Sequence, residues 1–245
     1  MIKLTALLVA ASAVGCSVGF NRTAMEQEFQ EDRRIVFDDE DVLRIEQLKP
    51  QIRFPIRLAV VPPARVGQRY GGDTRPAKGE HEELMALGEQ LKKEGIVSSF
   101  TLIPQFLLDT TSRAGGIKSI RLAAARMQAD SVLILRSNTD VDSYVNPLSV
   151  LNLTIVGMWL VPGHQRDALT MVEGLVLDNR NQFLYFAASA EGTGSTFGPV
   201  AVVQEKDAVA ESRTNAMKAF GQTLLREARQ ARDYVPGPRY ETPGK

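Results

Sequence analysis

Two rhythms of apolar residues alternate along the chain. Residues 56–61, IRLAVV, form a short β-branched run and predict a buried strand closed by Pro62-Pro63. Leu84, Leu87, Gly88 and Leu91 recur at helical spacing and predict a helix over about 80–94, ended by Gly95. Residues 96–103 predict a second strand. Ile117, Ile120, Ala124 and Met127 form the apolar stripe of a second helix over about 117–128. Ala129-Asp130-Ser131 then turns the chain into a strand at 132–135. The order is βαβαβ, and each crossover is long enough for parallel pairing.

The pattern then changes. Residues 148–161, LSVLNLTIVGMWLV, form the longest apolar run in the chain. It is too short for a membrane helix and rich in strand formers, so it predicts a long strand. Residues 169–177 and 183–190 predict two more strands, joined by the polar turn Asp178-Asn179-Arg180-Asn181. The Gly-rich stretch after them, EGTGSTFGP, predicts a loop. Val209, Ala216, Phe220 and Leu224 mark the buried side of a closing helix over about 206–230. The fold class expected is α+β: a βαβαβ first half, an antiparallel meander and a closing amphipathic helix.

Composition narrows the function. The chain has 245 residues, enough for one moderate domain, and 44% of them are hydrophobic, enough for a core. Lys plus Arg and Asp plus Glu number 29 each, so no basic excess points to nucleic acid. The single cysteine, Cys16, allows no internal disulfide and no Cys-based metal site.

The first stretch, MIKLTALLVAASAVGCS, has a positive residue, an apolar run and then small residues. That is the plan of a secretory signal over 1–15. Its end, Ala13-Val14-Gly15-Cys16, resembles the bacterial lipoprotein box. The resemblance implies that Cys16 is lipidated and that the membrane is a partner through this anchor. An ordinary secreted protein with an incidental cysteine is the alternative. Ser17, rather than Asp, implies by resemblance to enterobacterial sorting the outer membrane, facing the periplasm. Residues 16–50 then read as a polar tether with a short helix near Val42, Ile45 and Leu48. Residues 51–232 read as one αβ domain and 233–245 as a disordered tail.

Candidate chemistry is thin. Asp38 to Asp41 lack the glycine and spacing of a calcium loop and read as a solvated run. His81-Glu82-Glu83 fails as a zinc helix, because Met85 stands where a second His is needed. Glu80, Glu82 and Glu83 suit the first turn of a helix. His164 reads as a turn residue. Ser195 fails as a nucleophile elbow, because Phe197 stands where Gly is needed. Asp140 and Asp142 share a face if extended, but read as part of a solvated loop. No catalytic, metal or cofactor residue is assigned. Trp159 and Tyr144 are candidate interface aromatics, with core packing the plainer reading for Trp159.

The order of segments IRLAVVPP, IRLAAARMQADSVLIL, LTIVGMWLVPG and TMVEGLVLDNRNQFLYFAASAEG resembles the rhombotarget lipoproteins, a bacterial family. More loosely, the layout is similar to the αβ domain of the TolB N-terminal region and of curli secretion-channel lipoproteins, most of all at Ala129-Asp130-Ser131. The resemblance implies an envelope lipoprotein of unassigned biochemistry, and for want of any nucleophile–base pair in the sequence the protein is expected not to be an enzyme. It would act as an interaction or assembly module with an envelope protein partner. Alternatives are an oligomeric secretion-channel lipoprotein and a component or target of a rhombosortase-linked system. Rhombosortase substrates end in a Gly-Gly motif, a membrane helix and a basic tail, which this sequence lacks.

Overall fold

The computed structural model describes residues 19–31, 44–45, 47–65, 78–108, 116–145, 164–198 and 204–233. The expected strand at 148–161, with Trp159, lies outside them, as do Cys16, the acidic run 38–41 and the tail after 233. The described elements are α1 (Arg22–Glu31), β1 (Ile56–Arg65), α2 (Lys78–Lys93), β2 (Val97–Leu102), α3 (Gly116–Arg126), β3 (Ser131–Val145), β4 (His164–Asp178), β5 (Leu184–Gly198) and α4 (Glu205–Asp233).

The strands form one sheet in the order β2-β1-β3-β4-β5. β1 runs parallel to β2 and to β3, while β3, β4 and β5 pair antiparallel. The fold is α+β, as the sequence pattern predicts. From β1 the chain steps outward to β2, then back past β1 to β3. Right-handed crossovers taken in opposite directions put their helices on opposite faces. Leu84, Leu87 and Leu91 of α2 accordingly share a core with Leu58, Val60, Leu133 and Leu135. Ile117, Ile120 and Ala124 of α3 share another with Ala59, Val61, Val132 and Ile134. α4 joins α2 on the first face through Ala216, Met217, Phe220 and Leu224.

Both crossover helices end the same way. Gly95 has φ 67° and Gln128 has φ 56°. The next residue donates back into the last turn, Ile96 N to Leu91 O and Ala129 N to Ala124 O, both at 3.0 Å. This left-handed cap satisfies carbonyls that the helix end would orphan.

Three of the strands, β1, β3 and β5, run well past the ends that the sequence reading gives them. β1 does not stop at Pro62-Pro63 but runs to Arg65. The prolines lie past its last partner on β2, and its register with β3 shifts between Val61 and Ala64. No ladder donor is needed there. β3 does not stop at Leu135: its polar half, RSNTDVDSYV, pairs with β4 as far as Val145 opposite His164. The Gly-rich stretch is not a loop but the second half of β5. A side chain at Gly192 would come 2.1 Å from Ala216 N, and one at Gly194 would come 2.3 Å from Ala208 O. The glycines let α4 lie directly on the strand.

Asp130 ties the α3–β3 turn to its surroundings. Its carboxylate accepts from Arg57 N, Nε and Nη2 at 3.0, 3.1 and 2.8 Å. Its backbone carbonyl accepts from Asn179 N of the β4–β5 turn at 3.0 Å. The Arg57 hydrogen bond, against the opposing effect of burial, holds the Asp130 carboxyl below its usual range. A lowered carboxyl pKa contributes stability that is complete above the unfolded value, about 4, and is lost as pH falls through the folded value. Asp130→Asn is therefore expected to melt below wild type at pH 7, with the gap closing below about pH 4. Melting curves of both proteins from pH 7 to 2 check this. A constant gap would assign the effect to shape rather than charge.

Candidate functional site

The polar half of β3 has a definite use. Residues 136, 138, 140 and 142 alternate onto the α3 face of the sheet. There they hold α1, which lies within the stretch read as a polar tether. Asp142 Oδ2 accepts from Gly19 N and Asp140 Oδ2 from Asn21 N, each at 3.0 Å. Asn21 Oδ1 in turn caps α1 by accepting from Ala24 N at 3.0 Å. Asn138 Nδ2 donates to Glu28 Oε2 at 2.7 Å, and Arg136 Nη1 donates to Phe29 O at 2.8 Å. The Arg136 guanidinium also stacks 5.5 Å from the Phe29 ring centroid. Met25 and Phe29 are buried, and Arg22 pairs with Glu191 on β5 at 3.0 Å. Asp140 and Asp142 are thus strand residues that fix the N-terminal segment, not members of a solvated loop.

Beside α1, the same face over β4 and β5 is open among the described residues. Every second residue of β5 from Ala187 to Phe197 is exposed there. Leu184 and Phe197 are 52% and 58% exposed. A groove of about 310 Å³ lies against this surface, lined by Ile134, Arg136, Glu173, Leu175, Ala187 and Ser189. Arg136 and Glu173 pair across it at 3.5 Å. Its charged groups answer one another, and among the described residues no hydroxyl–imidazole pair lines it.

β5 is also an edge strand, and its edge is treated in two ways. The odd residues of β5 turn their N–H and C=O groups outward, away from β4. At 193 and 195 side chains of α4 take these groups. Asn215 Nδ2 donates to Thr193 O at 2.8 Å, and Glu211 Oε2 accepts from Ser195 N at 3.0 Å. Ser195 is therefore an edge residue covered by Glu211. At Ala187 and Ser189 no hydrogen bond to the outward groups is made among the described residues.

The remaining sequence candidates scatter. His81 is exposed on the first turn of α2, next to buried Glu80. His164 is the first residue of β4 rather than part of a turn, and Tyr144 pairs with Gln165 one step before the end of the β3 ladder. Among the described residues no three His, Cys, Asp or Glu side chains gather as a metal site. Among them, too, no helix is long and apolar enough to cross a membrane.

No protein-family model matches the chain, and no curated protein does. Solved structures share parts of the chain course. The PelC dodecamer from Paraburkholderia phytofirmans is 12% identical over 70% of this chain and 92% of its own, with a TM-score of 0.31. The LpoB C-terminal domain from Salmonella enterica is 12% identical over 57% and 84%, with a TM-score of 0.31. Lipoprotein GNA1162 from Neisseria meningitidis is 16% identical over 58% and 85%, also at 0.31. At such scores the likeness carries no function over to this chain.

The second half of β5, from Glu191 to Gly198, is what sequence reasoning missed. An alternation of small and polar residues, ASAEGTG, was the available signal. It is equally the signature of a loop, and only α4 resting on the glycines separates the two.

Proposed function

We infer that the protein is a lipid-anchored bacterial envelope protein, held through Cys16, that works by non-enzymatic contact with another envelope protein. The contact is made by strand addition at the uncapped part of the β5 edge. The carrying observation is the division of that edge: Asn215 and Glu211 cover Thr193 and Ser195, while the outward groups of Ala187 and Ser189 stand beside the open face. Exposed edges invite pairing, and proteins usually blunt them. An extended partner segment would gain main-chain hydrogen bonds along 187–191 and side-chain contact with Leu175 in the groove. The anchor and the periplasm-facing outer-membrane location rest on the signal, the box residues and Ser17. The link to rhombosortase rests on the family resemblance alone.

A photo-crosslinking amino acid at Ser189, introduced in cells, tests this. A discrete adduct with another envelope protein is expected at Ser189 and none at the exposed α2 residue Gln90. An adduct at twice the protein's own mass would replace the partner by a second copy. No adduct at Ser189 would overturn the reading. Cys16→Ser is expected to lose lipid labelling and leave the membrane fraction.

A further inference from the structure

The α1 clamp sits at one end of the sheet, and this end is set by register. Asp142 pairs with Asp167 on β4, which pairs with Ser195 on β5. The β4–β5 turn, Asn179 to Phe183, closes the opposite end. With 15 residues in each of β3, β4 and β5, the two ends stand about 45 Å apart. Only Ser17 and Val18 separate Cys16 from Gly19, so Gly19 is the third residue after the cysteine. Fully extended, three residues reach at most about 11 Å.

The chain between anchor and clamp is therefore too short to let this end of the sheet leave the membrane by more than about 11 Å. Gly19 and Asn21 are held by Asp142 and Asp140. Behind them α1 is held by Asn138, Arg136, Glu191 and its own buried Met25 and Phe29. Whatever holds Cys16 holds this end of the sheet within one short reach. Phe197, 58% exposed and opposite Gln165, projects from the same end. An exposed aromatic at a membrane-facing end suits the apolar–polar boundary of a bilayer.

We propose that the docked α1 acts as a short rigid leash that orients the domain, with the Asp142–Phe197 end of the sheet against the lipid surface and the Asn179–Asn181 turn pointing away. This rests on lipidation of Cys16. It makes the β5 edge stand upright from the membrane, with residues 187–191 presented at mid-height to the aqueous compartment.

The test uses the full lipidated protein in phosphatidylethanolamine–phosphatidylglycerol vesicles. Lipidation blocks Cys16, so Phe197→Cys or Arg180→Cys supplies the one free thiol for a fluorophore. A nitroxide headgroup lipid is the quencher. Strong quenching is expected from position 197 and little from position 180, whose side chain is 59% exposed. Adding Asp140→Ala, Asp142→Ala and Phe29→Ala releases α1 and is expected to shrink the difference severalfold, while the protein still floats with the vesicles. Equal quenching at both positions in the clamped protein would overturn the orientation and leave the anchor standing. Failure to float, with no acyl mass on Cys16, would overturn both.

Discussion

Gly192→Ala is expected to lower the melting temperature by roughly 6–12 °C, from a loss of about 3 kcal/mol. The new methyl would come 2.1 Å from Ala216 N, 2.6 Å from Ala216 Cα and 2.6 Å from Ser212 O. All three are backbone atoms of α4, so no side chain can swing aside. α4 must lift from β5, and its neighbours lose packing. Asn215 and Glu211, which cover Thr193 and Ser195, ride on the same stretch of helix. The substitution is thus expected also to uncover more of the β5 edge and to promote self-association. Gly221→Ala is the control within the same helix. Its methyl would meet Leu87 Cβ at an ordinary 3.7 Å, and helix propensity favours alanine by about 1 kcal/mol. A neutral or raised melting temperature is expected. Thermal denaturation of the pair decides whether close approach of α4, rather than glycine flexibility, governs this site.

Phe220→Ala is expected to cost about 3–5 kcal/mol, the range for an aromatic removed from a packed core. Phe220 is wholly buried among Leu133, Leu135, Val172 and Val176 in the core shared with α2. Its ring lies over Gly174, where a Cβ would come 2.6 Å from Phe220 Cζ and 2.8 Å from Leu135 Cδ2. Gly174→Ala alone is therefore also destabilising. Gly174→Ala combined with Phe220→Leu is expected to be milder than the sum of the singles, because leucine lacks the ring tip that the methyl would strike. Coupling between touching residues runs to about 0.5–3 kcal/mol. Chemical denaturation of the two singles and the double measures it. Strict additivity would show that the ring and the glycine do not share this space.

The strands and helices with strong periodicity were legible because burial on one face writes itself into the sequence. Leu84, Leu87 and Leu91 predicted α2, and Ile117, Ile120 and Ala124 predicted α3. The hairpin turn at Asp178–Asn181 was legible through turn chemistry. Asp178 accepts there from Arg180 N and from the Tyr185 hydroxyl, both at 2.8 Å. Burial, reinforced by this acceptor, raises the Tyr185 phenol above its usual range.

The sequence by itself determined the α+β class, the parallel βαβαβ first half, the β4–β5 hairpin and the closing helix, but not α1, which it reads as tether. Each of these follows from local periodicity and from the length of the connections. Tertiary structure decided what local pattern leaves ambiguous. NTDVDSYV is polar because it receives α1, not because it is a loop: a strand that binds a helix through carboxylates and amides has no apolar alternation to read. EGTGSTF is Gly-rich because α4 rests on it, and glycine required by close approach looks the same in sequence as glycine required by a turn. The covered and uncovered parts of the β5 edge depend on Glu211 and Asn215, which stand 16 and 22 residues from the groups they bind. No local rule connects such distant positions; the folded placement of α4 along β5 does.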